Sequence, residues 1–342
     1  MVVYHGFACA ESNESDGQKV LRIEQSRTIP ATMHEATVFL NGWHLRYLDG
    51  DHKVTGLGTA VFKIQRENNE IKWEAGGVIA DDNFDDPYRW CYRYTLIAWN
   101  RGVFAATRDD RDLHAFYGDN AAGWETALSF HPTYIPSGYF TPSAAILPRG
   151  FGFFWAGGDD HNLLQLAYNL DYSEKFIAGG KRYVSGATNP DGLDRVEGNF
   201  LSWETKTIFK DNDLKRDYVS GEIVSVVAGT GVGSVQPPFT IVPHEDHANC
   251  ISSGDPASAT RTVERVPFPV AVPVLTGWDL RYVCDDEPVE EVGIWIESFE
   301  YTPGGYNGVL RYTVTSVLHD EDKGEDNRFR HRVSILGFDR AP

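Results

Sequence analysis

The chain has 342 residues and a formal charge of −18, from 49 acidic against 31 basic residues, with the basic residues scattered rather than gathered into a stripe. Such a field repels nucleic acid and anionic membrane, so both drop out as partners, and no apolar run has the length of a membrane-spanning helix, so membrane insertion is not expected. Hydrophobic residues at 42% and aromatics at 13% indicate a folded chain, long enough for two or three domains that bury their cores without covalent staples.

In chain order, the opening "MVVYHGFACAESNES" lacks the basic segment and long apolar run of a secretory signal. An extracellular, surface or virion-associated setting is still the favoured expectation. Residues 1–20 are polar and without periodicity, and read as an arm that neighbouring chains would exchange. Cys9, Cys91, Cys250 and Cys284 have no C-x-x-C spacing, which excludes a zinc ribbon and leaves one or two disulfides open.

The octapeptide "LNGWHLRY" at 40–47 returns as "LTGWDLRY" at 275–282, matching at six of eight positions. A gapless match of three segments, 71–101, 201–231 and 310–340, adds an internal ruler. Trp73, Trp203 and Tyr312 coincide, then Asp81, Asp211 and Asp320, then Ala98, Ala228 and Gly337. Upstream of each, the tracts 49–65, 158–172 and 284–300 place an acidic turn before an apolar run. In the middle copy "GFGFFWAGG" (150–158) stands where the octapeptide belongs, and a polar insertion runs through 177–197.

Within a repeat, "RYTLIAW" (93–99), "GEIVSVVAG" (221–229) and "RVSILGF" (332–338) are strands by their alternation and their β-branched and aromatic content. The Asp/Asn/Gly tracts between such segments are hairpin connections. Prolines in 133–150 and 263–275 exclude helix and suit edge strands or linkers. The pattern predicts an all-β chain of three tandem antiparallel β-sandwich domains with six to seven strands each, at 1–109, 110–240 and 241–342. Boundaries are expected near 107–122 and 233–262.

Each repeat resembles the H-type lectin domain, whose typical ending is an apolar strand, Trp-x-Asp, a variable loop and a strand closing in a Trp-Ile-Ala-like run. The counterparts here are Ile79-Ala80-Asp81 with "TLIAW" (95–99), Phe209-Lys210-Asp211 with "SVVAG" (225–229), and Leu318-His319-Asp320 with "SILGF" (334–338). The aromatic of Trp-x-Asp survives only as Phe209. The resemblance implies a six-stranded sandwich and sugar sites at subunit boundaries. It also implies that three fused copies would build from one chain the ring that the family builds as a homotrimer. A pseudo-threefold monomer is therefore the natural expectation, with a homo-oligomer or a string of beads as the alternatives.

The candidate ligand contacts are Trp43 and Trp278, whose indoles would stack on sugar, with Arg46, Arg281, Asp81, Asp211 and Asp320 catching hydroxyls. The plainer reading of both tryptophans is a cap on a sandwich core. The loops "ADDNFDD" (80–86), "KDNDLKRD" (210–217) and "HDEDKGED" (319–326) offer Asp81, Asp82, Asp211, Asp213, Asp320 and Asp322 as oxygen ligands for calcium, although charged hairpin turns are the preferred account. His244-Glu245-Asp246-His247 is too short a loop to converge on one metal. No nucleophile elbow or P-loop is present, "GTGVGS" (229–234) opens no helix, and no catalytic residue or enzymatic activity is expected. Two functions compete: a multivalent carbohydrate-binding or adhesive protein, and a structural or assembly protein of a virion, appendage or filament that binds protein rather than glycan. A degenerate middle copy favours assembly, because a binding array gains from keeping every site.

Overall fold

The computed structural model describes residues 1–13, 20–82, 86–100, 104–108, 114–119, 133–135, 139–155, 160–185, 193–211, 217–230, 248–251, 256–283, 286–321 and 327–338. Nineteen strands account for nearly all of them: β1 (Val2–Glu11), β2 (Leu21–Thr28), β3 (Glu35–Tyr47), β4 (Gly56–Glu67), β5 (Glu70–Ala80), β6 (Tyr88–Trp99), β7 (Phe104–Arg108), β8 (His114–Asp119), β9 (Thr133–Ile135), β10 (Tyr139–Trp155), β11 (Gln165–Ser185), β12 (Leu193–Lys210), β13 (Asp217–Thr230), β14 (Ala248–Ile251), β15 (Ala257–Val266), β16 (Val270–Tyr282), β17 (Glu291–Thr302), β18 (Gly308–His319) and β19 (Asn327–Phe338). The fold is all-β and antiparallel, as its alternation requires, with a short 3-10 turn at Gly305–Asn307 among the described residues.

The strands form three sheets that are not confined to single repeats. Sheet 1 runs β1-β6-β3-β17-β18-β15, sheet 2 runs β2-β5-β4-β10-β13-β7 with β8 also on β13, and sheet 3 runs β14-β19-β16-β11-β12-β9. Each therefore joins a half-sheet of one repeat to a half-sheet of another, through the pairs β3–β17, β10–β4 and β16–β11, each with five paired positions. The three seams close a cycle in which every repeat meets both others. This pseudo-threefold ring is welded by backbone hydrogen bonds rather than by domain docking.

The octapeptide explains how. In β3, Ala36, Val38 and Leu40 point into the main core before the strand bulges between Leu40 and Gly42, and Trp43, Leu45 and Tyr47 do so after it. One extra residue thus exchanges the two faces of the strand. The same bulge occurs between Pro148 and Gly150 in β10 and between Leu275 and Gly277 in β16. Residues freed from the main core ahead of the bulge, Phe39, Leu147 and Val274, share a second buried cluster fed by all three repeats. Beyond the bulge the neighbouring repeat crosses closely. A Cβ on Gly42 would lie 2.2 Å from the Trp295 Cβ, one on Gly150 2.4 Å from that of Ala60, and one on Gly277 2.8 Å from Asn169 Oδ1. Glycine at this position is the condition for the seam.

Several expectations are corrected here. Residues 2–11 are not an exchanged arm: β1 pairs with β6 along its whole length, and Cys9 is bonded to Cys91 directly across that pair, 4.0 Å apart at Cα. Proline is not confined to edges or linkers, since Pro148 and Pro273 sit in inner strands. They are tolerated because the seams bring in neighbouring strands only from Gly150 and Gly277 onward, so the strand's second edge needs no donor at those prolines. Much of the polar insertion at 177–197 prolongs the β11–β12 hairpin, which pairs out to Ser185 and Leu193. β7 and β8, which lie at the first expected boundary, both pair with β13.

Candidate functional site

Trp43 and Trp278 converge on the pseudo-threefold axis, and the third member is Phe151. The ring centroids stand 5.3, 5.1 and 5.0 Å apart for Trp43–Trp278, Trp43–Phe151 and Phe151–Trp278, all within the range of favourable aromatic pairing. They are 1%, 5% and 8% exposed. The Gly-Trp pair therefore persists in the middle copy as Gly150-Phe151. Rings in this position have no face for a sugar; they close the axis.

Beyond the triad, the loops after β3, β10 and β16 interlock. His52 pairs with Val289, Val54 with His161 and Leu163 with Glu287, each through two backbone hydrogen bonds of 2.8–3.2 Å. Val54, Leu163 and Val289 are fully buried beneath this crown. Each loop of the crown both donates to and accepts from each of the other two, so the crown is cyclic like the sheets. Asp81, Asp211 and Asp320 follow β5, β12 and β18 and are 3%, 1% and 7% exposed. Thr55 donates its hydroxyl to the Asp81 carbonyl at 3.1 Å, and His161 Nδ1 lies 3.5 Å from an Asp211 carboxylate oxygen. The three aspartates are built into the ring rather than presented to a ligand. Asp82 is exposed, and Asp213 and Asp322 lie outside the described residues.

Among the described residues, the three-member cluster with metal-ligand spacing is Asp49, His52 and Asp86. Both imidazole nitrogens face carboxylates, Nδ1 toward Asp86 at 2.8 Å and Nε2 toward Asp49 at 3.2 Å. The arrangement accounts for itself as a histidine bridging two acids.

The outward faces of the seams differ most. On sheet 1, His44 Nε2 and Glu291 Oε1 are 2.5 Å apart, and the other oxygen of Glu291 takes His319 Nε2 at 2.8 Å. Burial alone would raise the Glu291 carboxyl, but the two imidazole hydrogen bonds outweigh it and hold the group well below the usual carboxylate range. For His319, burial pulls the imidazole down, but its hydrogen bonds to the Glu291 carboxylate and the Asp320 carbonyl, with the charges of Glu291 and Glu290, together outweigh that and raise it. Arg46 pairs with Glu290 at 2.8 Å beside them. Next to this network lies a depression of about 260 Å³ lined by Phe7, the Cys9–Cys91 disulfide, Arg89, Arg93 and Trp295. Phe7 is 63% exposed with the Arg93 guanidinium 5.3 Å from its ring centre. None of Phe7, His44, Glu291 or Trp295 stood out in the sequence. The one available signal was Cys9, whose only partner in the fold is 82 residues away.

The equivalent positions on sheet 3 hold Asp279 and Gln165, joined at 2.9 Å, with Arg281 in place of Arg46 and Asn169 in place of Trp295. On sheet 2 they hold Gly152 and Gly56, with Phe154 43% exposed. Arg46 and Arg281, paired in the sequence, thus lie on separate faces and never approach one site.

No family model matches the sequence, and no curated protein does. Among solved structures, the infectious bursal disease virus Gt strain shares 9% identity, over 100% of this chain and 83% of that chain, at a TM-score of 0.21. Infectious bursal virus-derived T=1 particles share 8%, over 100% and 79%, at 0.18, and dimeric latent PorU from Porphyromonas gingivalis shares 10%, over 96% and 33%, at 0.13. Likeness this slight carries no argument about fold or role.

Proposed function

We propose that the chain is a non-enzymatic structural or assembly protein, a component of a virion, appendage or filament that presents three sheet faces to protein partners. The observation that carries this reading is the divergence of the seams. Symmetry-equivalent positions hold a His–Glu–His bridge, an Asp–Gln pair and two glycines, Gly152 and Gly56, that bring no side chain. A multivalent lectin gains avidity by repeating a site, whereas a platform contacting different neighbours on its three sides has reason to diversify them. The two tryptophans that invited a sugar reading are spent on the axis. The disulfide within sheet 1 fits an oxidising, extracellular or surface setting.

One observation favours a second reading. The sheet 1 depression combines exposed Phe7 and half-buried Trp295 with Arg89 and Arg93, a composition suited to a single glycan site in an H-type lectin relative. Light scattering after size exclusion, run beside a glycan array with and without calcium, separates the two. Defined oligomers or filaments with a silent array support assembly. A calcium-dependent or calcium-independent glycan signal from a monomeric chain would overturn it.

A further inference from the structure

Arg281 and Arg328 are directly opposite each other in the β16–β19 ladder, and Arg330 is opposite Asp279. Like charges facing across a strand pair oppose folding, and such pairs normally come with acceptors. On sheet 1 the same cross-strand pair, Arg46 and Arg89, has them: Glu290 lies 2.8 Å from Arg46 and Glu11 3.5 Å from Arg89. On sheet 3, Leu164 takes the place of Glu290, and the edge strand β14, "ANCI", contains no acid in the place of β1. Among the described residues Arg281, Arg328 and Arg330 have no salt bridge, and the Nε atoms of Arg281 and Arg330 are buried without a hydrogen-bond acceptor. With Arg332, which donates to Asn169 Oδ1 at 3.0 Å, the described residues of this face hold four guanidiniums beside the single carboxylate of Asp279, which Arg281, Arg328 and Arg330 share, in a chain of net charge −18.

We propose that the outer face of sheet 3 is a docking site for an extended acidic polypeptide segment of a partner protein. The inference rests on the assembly reading and names the partner's chemistry. Arg328, Arg330 and Arg332 alternate on one strand and so repeat every ~7 Å, which is the spacing of alternate side chains in an extended peptide carrying Asp or Glu at every second position. Guanidiniums take carboxylates in bidentate fashion, and the planar fork of exposed Arg328 is free to do so. A sulfated glycan is less well served at the seam, since Asn169 stands there in place of Trp295. Nucleic acid would feel the repulsive field of the whole chain, while a short segment feels mainly charges within a Debye length of about 10 Å.

The test is fluorescence anisotropy of the full chain with a labelled peptide alternating Glu and Thr, its Gln-for-Glu counterpart, and a sulfated oligosaccharide, at 50 and 300 mM salt. The Glu peptide should bind, the Gln peptide should not, and affinity should drop about tenfold or more with salt. Arg328→Ala alone, at an exposed position, should weaken binding several-fold, and Arg328→Ala with Arg330→Ala should abolish it, with circular dichroism melts confirming the fold. Arg89→Ala with Arg93→Ala should leave binding intact. Equal binding by the sheet 3 variants, or oligosaccharide binding that these variants abolish while the Glu peptide stays unbound, would overturn the proposal. No peptide binding by a chain that still forms defined oligomers would overturn this inference and leave the assembly reading standing. A glycan-array signal insensitive to the sheet 3 variants, beside intact peptide binding, would do the reverse.

Discussion

The outer faces of sheets 1 and 3 are built from the same strand positions of successive repeats, yet one is electrically closed and the other open. Both place arginine opposite arginine, Arg46 with Arg89 and Arg281 with Arg328. On sheet 1 the charges are answered by Glu290 and Glu11, the seam is locked by the His44–Glu291–His319 bridge, and a disulfide ties β1 to β6. On sheet 3 a neutral Gln165 amide serves as the seam contact, and Arg330 occupies the place of Cys91. A backbone geometry repeated three times fixes where side chains point. It leaves each face free to be a lock or a docking surface, because the hydrogen-bonded seam holds whichever chemistry sits above it.

The largest expected effect sits on the locked face. Replacing Cys9 and Cys91 by serine frees a span of 82 residues and should lower unfolding stability by about 4 kcal/mol in chain-entropy terms, read from urea titrations of the two proteins. An unchanged midpoint would mean that sheet 1 needs no covalent lock. Next, Glu291→Gln leaves two imidazoles facing a neutral amide and should cost about 2 kcal/mol, while Gln165→Leu at the equivalent place on sheet 3 should cost about 1 kcal/mol. Equal losses would erase the difference between a charged and a neutral seam.

Acidity should also separate the two seams. His319 is raised by Glu291, so its contribution is complete below the ordinary imidazole value near 6.5 and is lost as pH rises through its higher folded value. Glu291 is lowered, so its contribution is present above about 4.5 and fades only in stronger acid. Thermal midpoints should therefore decline as pH climbs above about 6.5. His319→Gln should flatten that decline; the groups facing this site are His44, Arg46, Glu290 and Glu291. The smallest effect belongs to the open face. Arg328→Glu turns a like-charge pair with Arg281 into an opposite one and should add about 0.5 kcal/mol, whereas Arg89→Glu, which forfeits its contact with Glu11, should gain nothing measurable by the same titration.

Strand identity was legible because a half-buried strand must alternate. Tyr88, Trp90, Tyr92 and Tyr94 point inward between Arg89, Cys91 and Arg93, and the sequence shows that rhythm directly. The repeat ruler through Asp81, Asp211 and Asp320 was equally visible, and the three are buried at equivalent strand ends. Trp43 and Trp278 were singled out, but their third partner was not, because Phe151 preserves the ring while discarding the letter that a pattern search follows. The depression beside Trp295 was invisible, since its walls come from β1, β3, β6 and β17, which only the fold makes adjacent.

By itself the sequence determined an all-β chain of three related units, its aromatic core positions and its acidic surface, because these depend on local alternation, composition and internal comparison. Only the tertiary structure decided that the units share sheets around an axis. That outcome turns on a one-residue bulge at Asn41, Arg149 and Thr276 and on glycines that admit a neighbouring strand. It also decided which arginines form an ion pair across a seam, because the partner of Arg46 lies 244 residues away, while Arg281 forms no salt bridge among the described residues. Contacts between distant segments carry no local signature, and it is these contacts that turn three similar repeats into three different faces.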